Sequence, residues 1–417
     1  MASVSRLAIV GGGPAALMAA YSAAITSQKM HKPIEIIVLE RNRSFGKKLL
    51  CSGSGQCNLT YDCLSDQLEE HYGDHGTFLH HAFKKLPPKA VMQLFTSWNV
   101  PLTIRQDGKV FPRSLKSIDV LNSLLHQCKQ HDVVLKPGFQ VHSIKKKEEK
   151  FIIETHQQPS YESDAVIVAT GGLSYPKTGS TGDGYRIAKK IGHTIIPPHA
   201  ALNGVKVEER SISKLSGLSF AEATVSLIQD GKPMLLSEGS LLITHDGLSG
   251  PAILNASRYL SEGDSISIGF GTKSDLGQSL FSKLVNQASV SGSQQVRTVV
   301  SHLGFPMSFV DWILLEIAIE GNKKAAETSK NNYKAIASAI TDHRFVISLG
   351  DWQQTAMATA GGVSLEEIDS TSMMSTIVKH LYFAGEVLDI DGDTGGFNLQ
   401  AAWATGSLAG THAACAL

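Results

Sequence analysis

Cysteine is scarce in this chain of 417 residues. The five cysteines are an odd number and include no Cys-x-x-Cys pair; they are Cys51, Cys57, Cys63, Cys128 and Cys415. Disulfide frameworks use even numbers of cysteines, and structural zinc sites usually use closely spaced ones. We therefore expect reduced thiols, with no disulfide framework and no cysteine-based metal site.

An excess of charge of one sign is also absent. Lys and Arg total 38, Asp and Glu total 38, and the formal net charge is +0. Such a chain has no overall field that attracts nucleic acid or an anionic membrane. No apolar run is long enough to span a membrane, and the run that ends at Val10 is too short for a signal-peptide core. We expect a cytoplasmic protein without a membrane partner, and the oligomeric state stays open.

What the sequence does contain is a strand, a glycine turn, a helix and a second strand near its start. A largely apolar, β-type run covers Arg6 to Val10. A helical pattern covers Ala15 to Ser27, and a second largely apolar run covers Ile34 to Leu39 before Glu40. This order is typical of the first βαβ unit of a parallel α/β sheet.

Two later segments have the same design. The apolar run from Asp164 to Thr170 ends at Gly171-Gly172, and Leu381 to Ala384 runs into Gly385-Glu386. A helical pattern from Leu399 to Ala414 follows the second of these. All three segments deliver glycine turns from short buried strands, so we expect them to belong to one sheet.

The composition changes in the middle of the chain, after Pro197-Pro198. Apolar and polar residues alternate from about Phe220 to Phe270, and helical spacing covers Leu276 to Ile340. We predict a nucleotide-binding domain made of residues 1–196 and 345–417. Residues 197–344 form an insert domain, a β-barrel or meander followed by helices.

The glycine turn carries the fingerprint Gly11-x-Gly13-x-x-Ala16. In this pattern Gly11 permits the tight turn, Gly13 leaves room for a pyrophosphate, and Ala16 replaces the third glycine at the helix–strand contact. The helix N-terminus then presents free N–H groups to the phosphates. Glu40 accepts hydrogen bonds from ribose hydroxyls and repels a 2′-phosphate, so the expected adenosine is unphosphorylated.

The C-terminal segment decides between FAD and NAD. From Gly385 to Gln400 the pattern is again strand, glycine loop and helix, and that helix can direct its N-terminus at the N1/C2=O edge of an isoalloxazine. A nicotinamide enzyme has no use for this second cradle, so FAD is the predicted cofactor. No second complete Gly-x-Gly-x-x-Gly exists, so NAD(P)H is expected only as a transient reductant.

Five runs in this order resemble the BaiN/YhiN-like family of FAD-dependent oxidoreductases, which includes aminoacetone oxidase-type members. They are Lys47 to Thr60 (KKLLCSGSGQCNLT), Ala169 to Pro176 (ATGGLSYP), Thr244 to Pro251 (THDGLSGP), Ala360 to Val363 (AGGV) and Gly385 to Gln400. The resemblance implies an α/β fold: a Rossmann-type, glutathione-reductase-like FAD domain interrupted by a mixed β-then-α insert.

The fingerprint and the resemblance together predict a set of cofactor-binding residues. These are Gly11, Gly13, Pro14, Ala15, Ala16, Glu40, Arg41, Lys48, Gly55, Asn58, Val141, Ala169, Thr170, Gly171, Gly172, Gly385, Glu386, Gly395, Gly396, Phe397, Asn398 and Leu399.

The sequence departs from the family pattern at two positions. The family usually has arginine where this chain has Gln56, which removes a cation from the loop expected to line the cofactor. The family often has tyrosine where this chain has Phe397, so the aromatic ring is kept and the hydroxyl is absent.

Two residues are candidates for proton transfer, Cys57 and His245. A small packed thiol is the favoured interpretation of Cys57, and a lone histidine such as His245 more often satisfies local structure. Four histidines have partial metal-ligand spacing without the context of a His-Glu-x-x-His helix, so no metal site is predicted. They are His71, His75, His80 and His81.

The leading hypothesis is an FAD-dependent oxidoreductase that moves hydride through flavin N5 to a conjugated C=C or a similar acceptor. A small-molecule substrate and NAD(P)H as donor are expected. Three alternatives stay open at this point: an amine or aminoketone oxidase that uses O2, a reductase of uridine in ribosomal RNA, and a non-catalytic flavin-binding redox sensor.

Overall fold

The computed structural model describes residues 4–155, 158–271 and 278–417. The chain divides into two compact units. The first contains Met1–Ala200 and Gln353–Leu417, and the second contains Ala201–Trp352.

The strands of the described residues are short apart from two long ones in the second unit. In chain order they are β1 (Ser5–Val10), β2 (Ile34–Glu40), β3 (Thr60–Tyr61), β4 (Leu102–Ile104), β5 (Lys109–Pro112), β6 (Val134–Pro137), β7 (Val141–Lys147), β8 (Lys150–Thr155), β9 (Tyr161–Ser163), β10 (Ala165–Val168), β11 (Ile195–Ala201), β12 (Val205–Val207), β13 (Ser219–Gln229), β14 (Lys232–Ile243), β15 (Gly247–Ser249), β16 (Ser265–Gly269), β17 (His343–Ser348), β18 (Ala358–Val363), β19 (Ile368–Asp369), β20 (Met374–Ser375) and β21 (Leu381–Phe383).

The α-helices range from single turns to the 20 residues of the last one. In chain order they are α1 (Pro14–Lys29), α2 (Lys47–Cys51), α3 (Ser65–Leu68), α4 (His80–Lys85), α5 (Pro88–Ser97), α6 (Ser117–Gln130), α7 (Asp183–Ile191), α8 (Pro251–Ala256), α9 (Gln278–Val290), α10 (Val296–Ser301), α11 (Met307–Glu316), α12 (Lys330–Thr341), α13 (Trp352–Thr355) and α14 (Phe397–Ala416). None of the described helices is long and apolar enough to cross a membrane.

The first unit contains a seven-stranded sheet in the order β19-β20-β21-β10-β1-β2-β6. The five strands from β21 to β6 are parallel, and β19 and β20 add an antiparallel edge. Apolar side chains fill the central strands because both faces of this sheet are covered. The predicted α/β class is confirmed, and the three strand-and-glycine segments do share this sheet.

The parallel strands all end at one edge, and this edge positions the glycine turns. Successive strand ends are tied by backbone bonds: Gly11 N donates to Leu39 O (2.9 Å), Ala169 N to Val10 O (2.8 Å), and Ala384 N to Val168 O (3.1 Å). Parallel α/β sheets bind their ligands at this carboxyl edge.

Helices α1 and α14 pack against each other through glycine. A Cβ built on Gly406 would lie 2.4 Å from the carbonyl oxygen of Ala15, and one on Gly410 would lie 2.1 Å from that of Ala19. The backbones therefore approach too closely for any side chain at these two positions. Because both contacts advance by four residues in the same direction, the helices run parallel.

The second unit contains a closed antiparallel barrel in the order β12-β15-β14-β13-β16-β17. Helices α9 to α12 precede its last strand, and an aromatic cluster of Phe220, Phe270 and Phe309 lies in the hydrophobic core of this unit. Strand β17 continues across residue 344, where the sequence predicts the end of the insert. The first residues of the predicted helical stretch, 276–277, lie outside the described residues.

Candidate functional site

The first glycine turn joins β1 to α1 at the centre of the sheet. Gly11 has φ +115°, and a Cβ there would lie 2.2 Å from the carbonyl oxygen of Ala169. Glycine is therefore required at Gly11 so that the end of the neighbouring strand can approach. Ala15 and Ala16 are buried at the start of α1, where a small side chain permits close packing.

Gly13 has a different role from Gly11. Its φ is −83° and its ψ is −176°, an extended conformation open to every residue. A Cβ built on Gly13 meets no described atom within 4 Å. Glycine here keeps space open beside the first turn of α1, which begins with Pro14 and is capped by no side chain of the described residues. Open space and uncapped N–H groups are what an anion needs at a helix N-terminus.

Glu40 ends β2 and lies against this turn. A Cβ on Gly12 would lie 2.6 Å from its Oε2, while its Oε1 accepts a hydrogen bond from Asn42 N at 2.7 Å. Burial raises the pKa of the Glu40 carboxyl, and the bonds from Asn42 and Gly12 partly oppose that shift. The predicted ribose contact thus stands beside the predicted phosphate contact.

Arg41 and Asn42 bind the loop of residues 178–183 to the carboxyl edge of the sheet. Arg41 Nη1 lies 2.8 Å from Asp183 Oδ2 and also bonds the Thr181 hydroxyl. Asn42 Nδ2 donates to Thr178 O at 2.9 Å. The Arg41 cation is therefore paired within the protein. Val141, the other predicted contact in this part of the chain, is buried on β7.

The C-terminal glycine loop comes directly against α1. A Cβ on Gly385 (φ +74°) would lie 2.7 Å from Ala15 Cβ, and Gly385 N donates to Thr405 Oγ1 at 3.0 Å. Gly385 and Glu386 line a small cleft together with residues of α14. The other lining residues are Ile390, Asn398, Ala401, Ala402 and Thr405.

Helix α14 begins in a crowded glycine turn. Gly396 (φ +102°) precedes Phe397, and a Cβ on Gly396 would lie 2.8 Å from the Thr60 backbone and 3.0 Å from Asn58 Oδ1. No described side chain caps this helix. The buried Asn58 Oδ1 accepts no hydrogen bond from the residues that the structure describes. Both features fit a ligand that lies at the start of α14.

Two predicted contacts shape this turn from within the protein. The Asn398 side chain accepts from Gly392 N at 2.9 Å and donates to Gly392 O at 2.8 Å. Phe397 is buried, and its carbonyl accepts from Tyr72 Oη at 2.7 Å. The main-chain N–H groups of Asn398 and Leu399 belong to the uncapped first turn.

Lys48 and Glu386 contact each other. Lys48 Nζ lies 2.6 Å from Glu386 Oε2 and 2.6 Å from Ser174 Oγ, and Thr359 N donates to Glu386 Oε1 at 3.0 Å. These bonds hold Gly171-Gly172 near the C-terminal glycine loop. Thr170 Oγ1 nearby is buried and has no partner in the described part of the chain. Residues predicted to contact a cofactor directly thus include an ion pair that joins α2 to the C-terminal glycine loop, and the Lys48–Ser174 bond adds the loop that follows β10.

The two candidates for proton transfer have very different surroundings. Cys57 is fully buried, and burial raises the pKa of its thiol to about 12. His245 belongs to the second unit, where its side chain is 86% exposed and lies 3.6 Å from Asp246 Oδ1. These surroundings favour the packed-thiol interpretation of Cys57 and give His245 no enclosed partner in the described residues.

Three of the four histidines between residues 71 and 81 each lie beside a different carboxylate. His71 Nδ1 lies 3.1 Å from Asp393 Oδ2, His75 Nε2 lies 3.8 Å from Asp389 Oδ2, and His80 Nδ1 lies 2.8 Å from Glu69 Oε1. The described residues contain no group of three or more metal-ligating side chains. Two of these pairs tie the histidine segment to the loop before α14. No sequence signal marks such pairs, because the partners are about 300 positions apart.

A cation also lies beside Gln56, the position where the resemblance predicts arginine. Arg105 Nη2 donates to Gln56 Oε1 at 2.7 Å, and its guanidinium carbon lies 3.9 Å from the centre of the Phe111 ring. Sequence reasoning misses Arg105, because it is supplied by the turn between β4 and β5.

Comparison with known proteins assigns the chain to a family. Residues 5–412 match the family model described as HI0933-like protein Rossmann domain. The chain is 28% identical over 420 residues to a 3-dehydro-bile acid delta(4,6)-reductase of Clostridium scindens, covering 99% of both. It is 30% identical over 421 residues to a ribosomal RNA dihydrouridine synthase of Haemophilus influenzae, covering 97% of both.

Solved structures with a similar fold at low sequence identity include a steroid-dehydrogenase complex. It is the 3-ketosteroid delta1-dehydrogenase of Sterolibacterium denitrificans in complex with 1,4-androstadiene-3,17-dione. The TM-score is 0.52 at 12% identity, and 99% of each chain is covered. This similarity concerns the fold alone.

Proposed function

This chain belongs to the HI0933-like Rossmann family of FAD-dependent oxidoreductases, and on that premise we propose that it is a reductase of C=C bonds conjugated to a carbonyl group. The observation that supports FAD as its cofactor is the pairing of two uncapped helix N-termini, α1 and α14, through glycine contacts that hold them parallel. The bond type that it reduces is inferred from the named relatives.

The spacing of the two N-termini suits a molecule with two electron-rich ends. Ala15 of α1 packs against Gly406 of α14. Helix α1 begins at Pro14, one residue before this contact, whereas α14 begins at Phe397, nine residues before it. The difference of eight residues places the start of α14 about 12 Å beyond the start of α1 along the helix axes. In FAD a five-carbon ribityl chain separates the pyrophosphate from the isoalloxazine, so one FAD reaches both ends.

We assign the cofactor groups to the residues accordingly. The open space at Gly13 and the first turn of α1 take the pyrophosphate, Glu40 takes the adenosine ribose, and the first turn of α14 takes the N1/C2=O edge of the ring. FAD, when bound, supplies hydride chemistry at its N5. The chain contributes a helix dipole that stabilises negative charge at the ring, and the Lys48–Glu386 pair joins α2 to the C-terminal glycine loop.

The substrate class follows from what the named relatives have in common. A delta(4,6)-reductase of a 3-dehydro-bile acid and a dihydrouridine synthase both saturate a C=C bond conjugated to a carbonyl. Because the two names share this bond type and differ in the molecule that carries it, we assign the bond type to this chain. We favour a small molecule over RNA, because the net charge is zero and RNA backbones require several cations.

An anaerobic reoxidation experiment tests the proposal. The FAD-loaded protein is reduced with NADH, NADPH or dithionite and mixed with a 3-oxo-4-ene steroid, a uridine-containing RNA or aminoacetone. We expect the steroid to restore the oxidised flavin spectrum with one equivalent per FAD. A reduced flavin that reacts only with O2, while aminoacetone reduces the oxidised enzyme, supports the oxidase instead. A flavin that neither NADH nor NADPH reduces, and that no acceptor reoxidises after reduction by dithionite, supports a non-catalytic module.

Glu40→Gln is expected to weaken FAD binding by about 10- to 100-fold, because it replaces charge-assisted hydrogen bonds to the ribose with neutral ones. The amide oxygen can still accept from Asn42, so the loop is preserved. Fluorescence titration of apoprotein with FAD measures the effect. Glu35→Gln is the matched control, since Glu35 is on the same strand and its carboxylate pairs with Arg6 at the surface. Equal affinities for all three proteins would contradict the ribose assignment.

The FAD affinity is also expected to depend on pH through Glu40. FAD prefers the ionised carboxylate, so affinity is constant at high pH and falls as the pH drops through the pKa of Glu40. Because burial raises that pKa, the fall begins above the usual glutamate range. Titrations at a series of pH values measure this, and Glu40→Gln should remove the dependence. A decline confined to the ordinary range would contradict the burial of this group.

Cys57→Ala is expected to leave flavin reoxidation within about threefold of wild type, whereas loss of a general acid typically costs about 100-fold or more. The buried thiol contributes packing, so the free energy of unfolding should fall by about 1 kcal/mol. Stopped-flow absorbance and urea unfolding measure the two effects. A 100-fold slower reoxidation with an unchanged fold would restore Cys57 as the proton donor.

A further inference from the structure

Arg105 is held in one position by two neighbours at the tip of the β4–β5 hairpin. Its Nη2 donates to Gln56 Oε1 at 2.7 Å, and its guanidinium stacks over the Phe111 ring with 3.9 Å between the guanidinium carbon and the ring centre. A surface arginine usually samples many rotamers, so these contacts reduce the entropy lost when the guanidinium binds a partner.

The charge of Arg105 is not neutralised by the part of the chain that the structure describes. The neighbouring acid, Asp107, accepts from Lys109 Nζ at 2.8 Å, and this bond lowers the pKa of the Asp107 carboxyl. Gln56 is neutral and occupies one of the five N–H donors that a guanidinium carries. The other donors remain for a ligand.

A continuous set of contacts connects Arg105 to the start of α14. A Cβ on Gly53 would lie 3.4 Å from Phe111 Cε1 and 3.0 Å from Asn58 N, and one on Gly396 would lie 3.0 Å from Asn58 Oδ1. The ring beneath the guanidinium thus packs on the same loop that packs on the glycine before α14. Arg105 is therefore on the side of the proposed flavin site formed by residues 53–58.

That loop has a backbone shape typical of functional sites. Gly53, Ser54, Gly55 and Cys57 all have positive φ, at +54°, +55°, +86° and +60°. Left-handed conformations at Ser54 and Cys57 cost free energy and are retained where the surrounding structure requires them. The side chain of Gln56, between them, is fixed toward Arg105.

We propose that Arg105 binds a carboxylate group carried by the acceptor and so selects acidic small molecules over neutral ones. This inference rests on the proposed function and specifies its substrate class. A planar guanidinium binds a carboxylate through two parallel hydrogen bonds, a geometry that lysine cannot supply. One fixed guanidinium suits a single anionic group, whereas a nucleic-acid backbone would require several such cations.

The test compares acceptors that differ only in charge. Reduced, FAD-loaded wild-type protein is mixed anaerobically with a 3-oxo-4-ene bile acid or with its methyl ester. At low acceptor concentration the acid should reoxidise the flavin about 10-fold faster than the ester, the effect of one charge-assisted contact. The difference should lie in the apparent affinity and not in the limiting rate. Calorimetric binding of the saturated acid and ester to the oxidised protein measures the same preference without turnover.

Three variants assign the preference to this side chain. Arg105→Gln should remove it in both measurements, and Arg105→Lys should recover part of it. Arg113→Gln is the matched control, because it removes one positive charge at an exposed position directly after β5 and leaves the Asp107–Lys109 pair intact. It should keep the preference for the acid. The retained FAD and the unfolding midpoint of each variant verify that the fold is intact.

Several outcomes would overturn the inference. Equal acid-to-ester ratios in wild type and Arg105→Gln would exclude a carboxylate contact, and an equal loss in Arg113→Gln would indicate only a general electrostatic field. Absence of binding of either saturated compound would exclude this substrate class. Reoxidation by uridine RNA but by neither steroid would do the same. If no acceptor reoxidises the flavin while the saturated acid still binds through Arg105, the proposed reaction fails and the anion site stands.

Discussion

Gly13→Val is expected to weaken FAD binding by at least about 100-fold, or about 2.7 kcal/mol, while the apoprotein stays folded. The reason is the position of this glycine. A Cβ on Gly13 meets no described protein atom within 4 Å and its backbone is extended, so valine is tolerated by the protein alone. The added methyl groups would occupy the space assigned to the pyrophosphate at the start of α1.

Fluorescence titration of the apoprotein with FAD measures the affinity, and urea unfolding of the same apoprotein measures its stability. The useful comparison is Gly11→Val, where a Cβ would lie 2.2 Å from the Ala169 carbonyl oxygen. That variant should lose stability and FAD binding together. Unchanged FAD affinity in Gly13→Val would show that the pyrophosphate lies elsewhere.

Gly406→Val should lower the free energy of unfolding by about 3 kcal/mol, at the upper end of what overpacking costs. A Cβ at this position would lie 2.4 Å from the carbonyl oxygen of Ala15. This oxygen belongs to the main chain of α1, so no side-chain rotation can relieve the overlap. Helix α14 must then move away from α1, and the two N-termini lose their relative position. We expect reduced FAD retention to accompany the lower stability.

His412→Val is the matched control for this change. It places the same β-branched side chain on α14 at an exposed position, where substitutions usually change stability by less than about 0.5 kcal/mol. Urea unfolding of both apoproteins decides the matter. An unfolding midpoint of Gly406→Val equal to that of wild type would contradict the close helix contact.

Local patterns in the sequence predict much of the FAD-type domain. Apolar runs ending in glycine identify β1, β10 and β21, because a short buried strand and the tight turn after it produce a recognisable residue pattern within about ten residues. The helix predicted from Ala15 to Ser27 is observed from Pro14 to Lys29. The resemblance to a family depends on the order of several such patterns along the chain, and the family match over residues 5–412 confirms it.

Contacts between distant residues are not predictable in this way. The Lys48–Glu386 pair joins residues 338 positions apart, and the His71–Asp393 pair joins residues 322 apart. Each charged residue alone resembles a solvated surface residue or a cofactor ligand. Only the folded sheet brings the partners together, so the ion pair between Lys48 and Glu386 is not predictable from the sequence.

Burial of one side chain agrees with its residue type. Cys57 lies in a glycine-rich loop, the favoured interpretation of a free cysteine is a small packed thiol, and the thiol is fully buried. The spacing of Gly406 and Gly410 is a signal that was present in the sequence. Two glycines four residues apart on an alanine-rich helix indicate a close helix contact, although not which helix supplies the partner.

The most direct test of the central claim is an anaerobic titration of the purified protein. Its flavin is extracted and quantified, and the FAD-loaded protein is then reduced and titrated with a 3-oxo-4-ene bile acid. We predict one FAD per chain and full recovery of the oxidised flavin spectrum after one equivalent of the bile acid, with the C=C bond saturated in the product. A colourless protein that takes up no FAD, or a reduced flavin that no conjugated acceptor reoxidises, would contradict the claim.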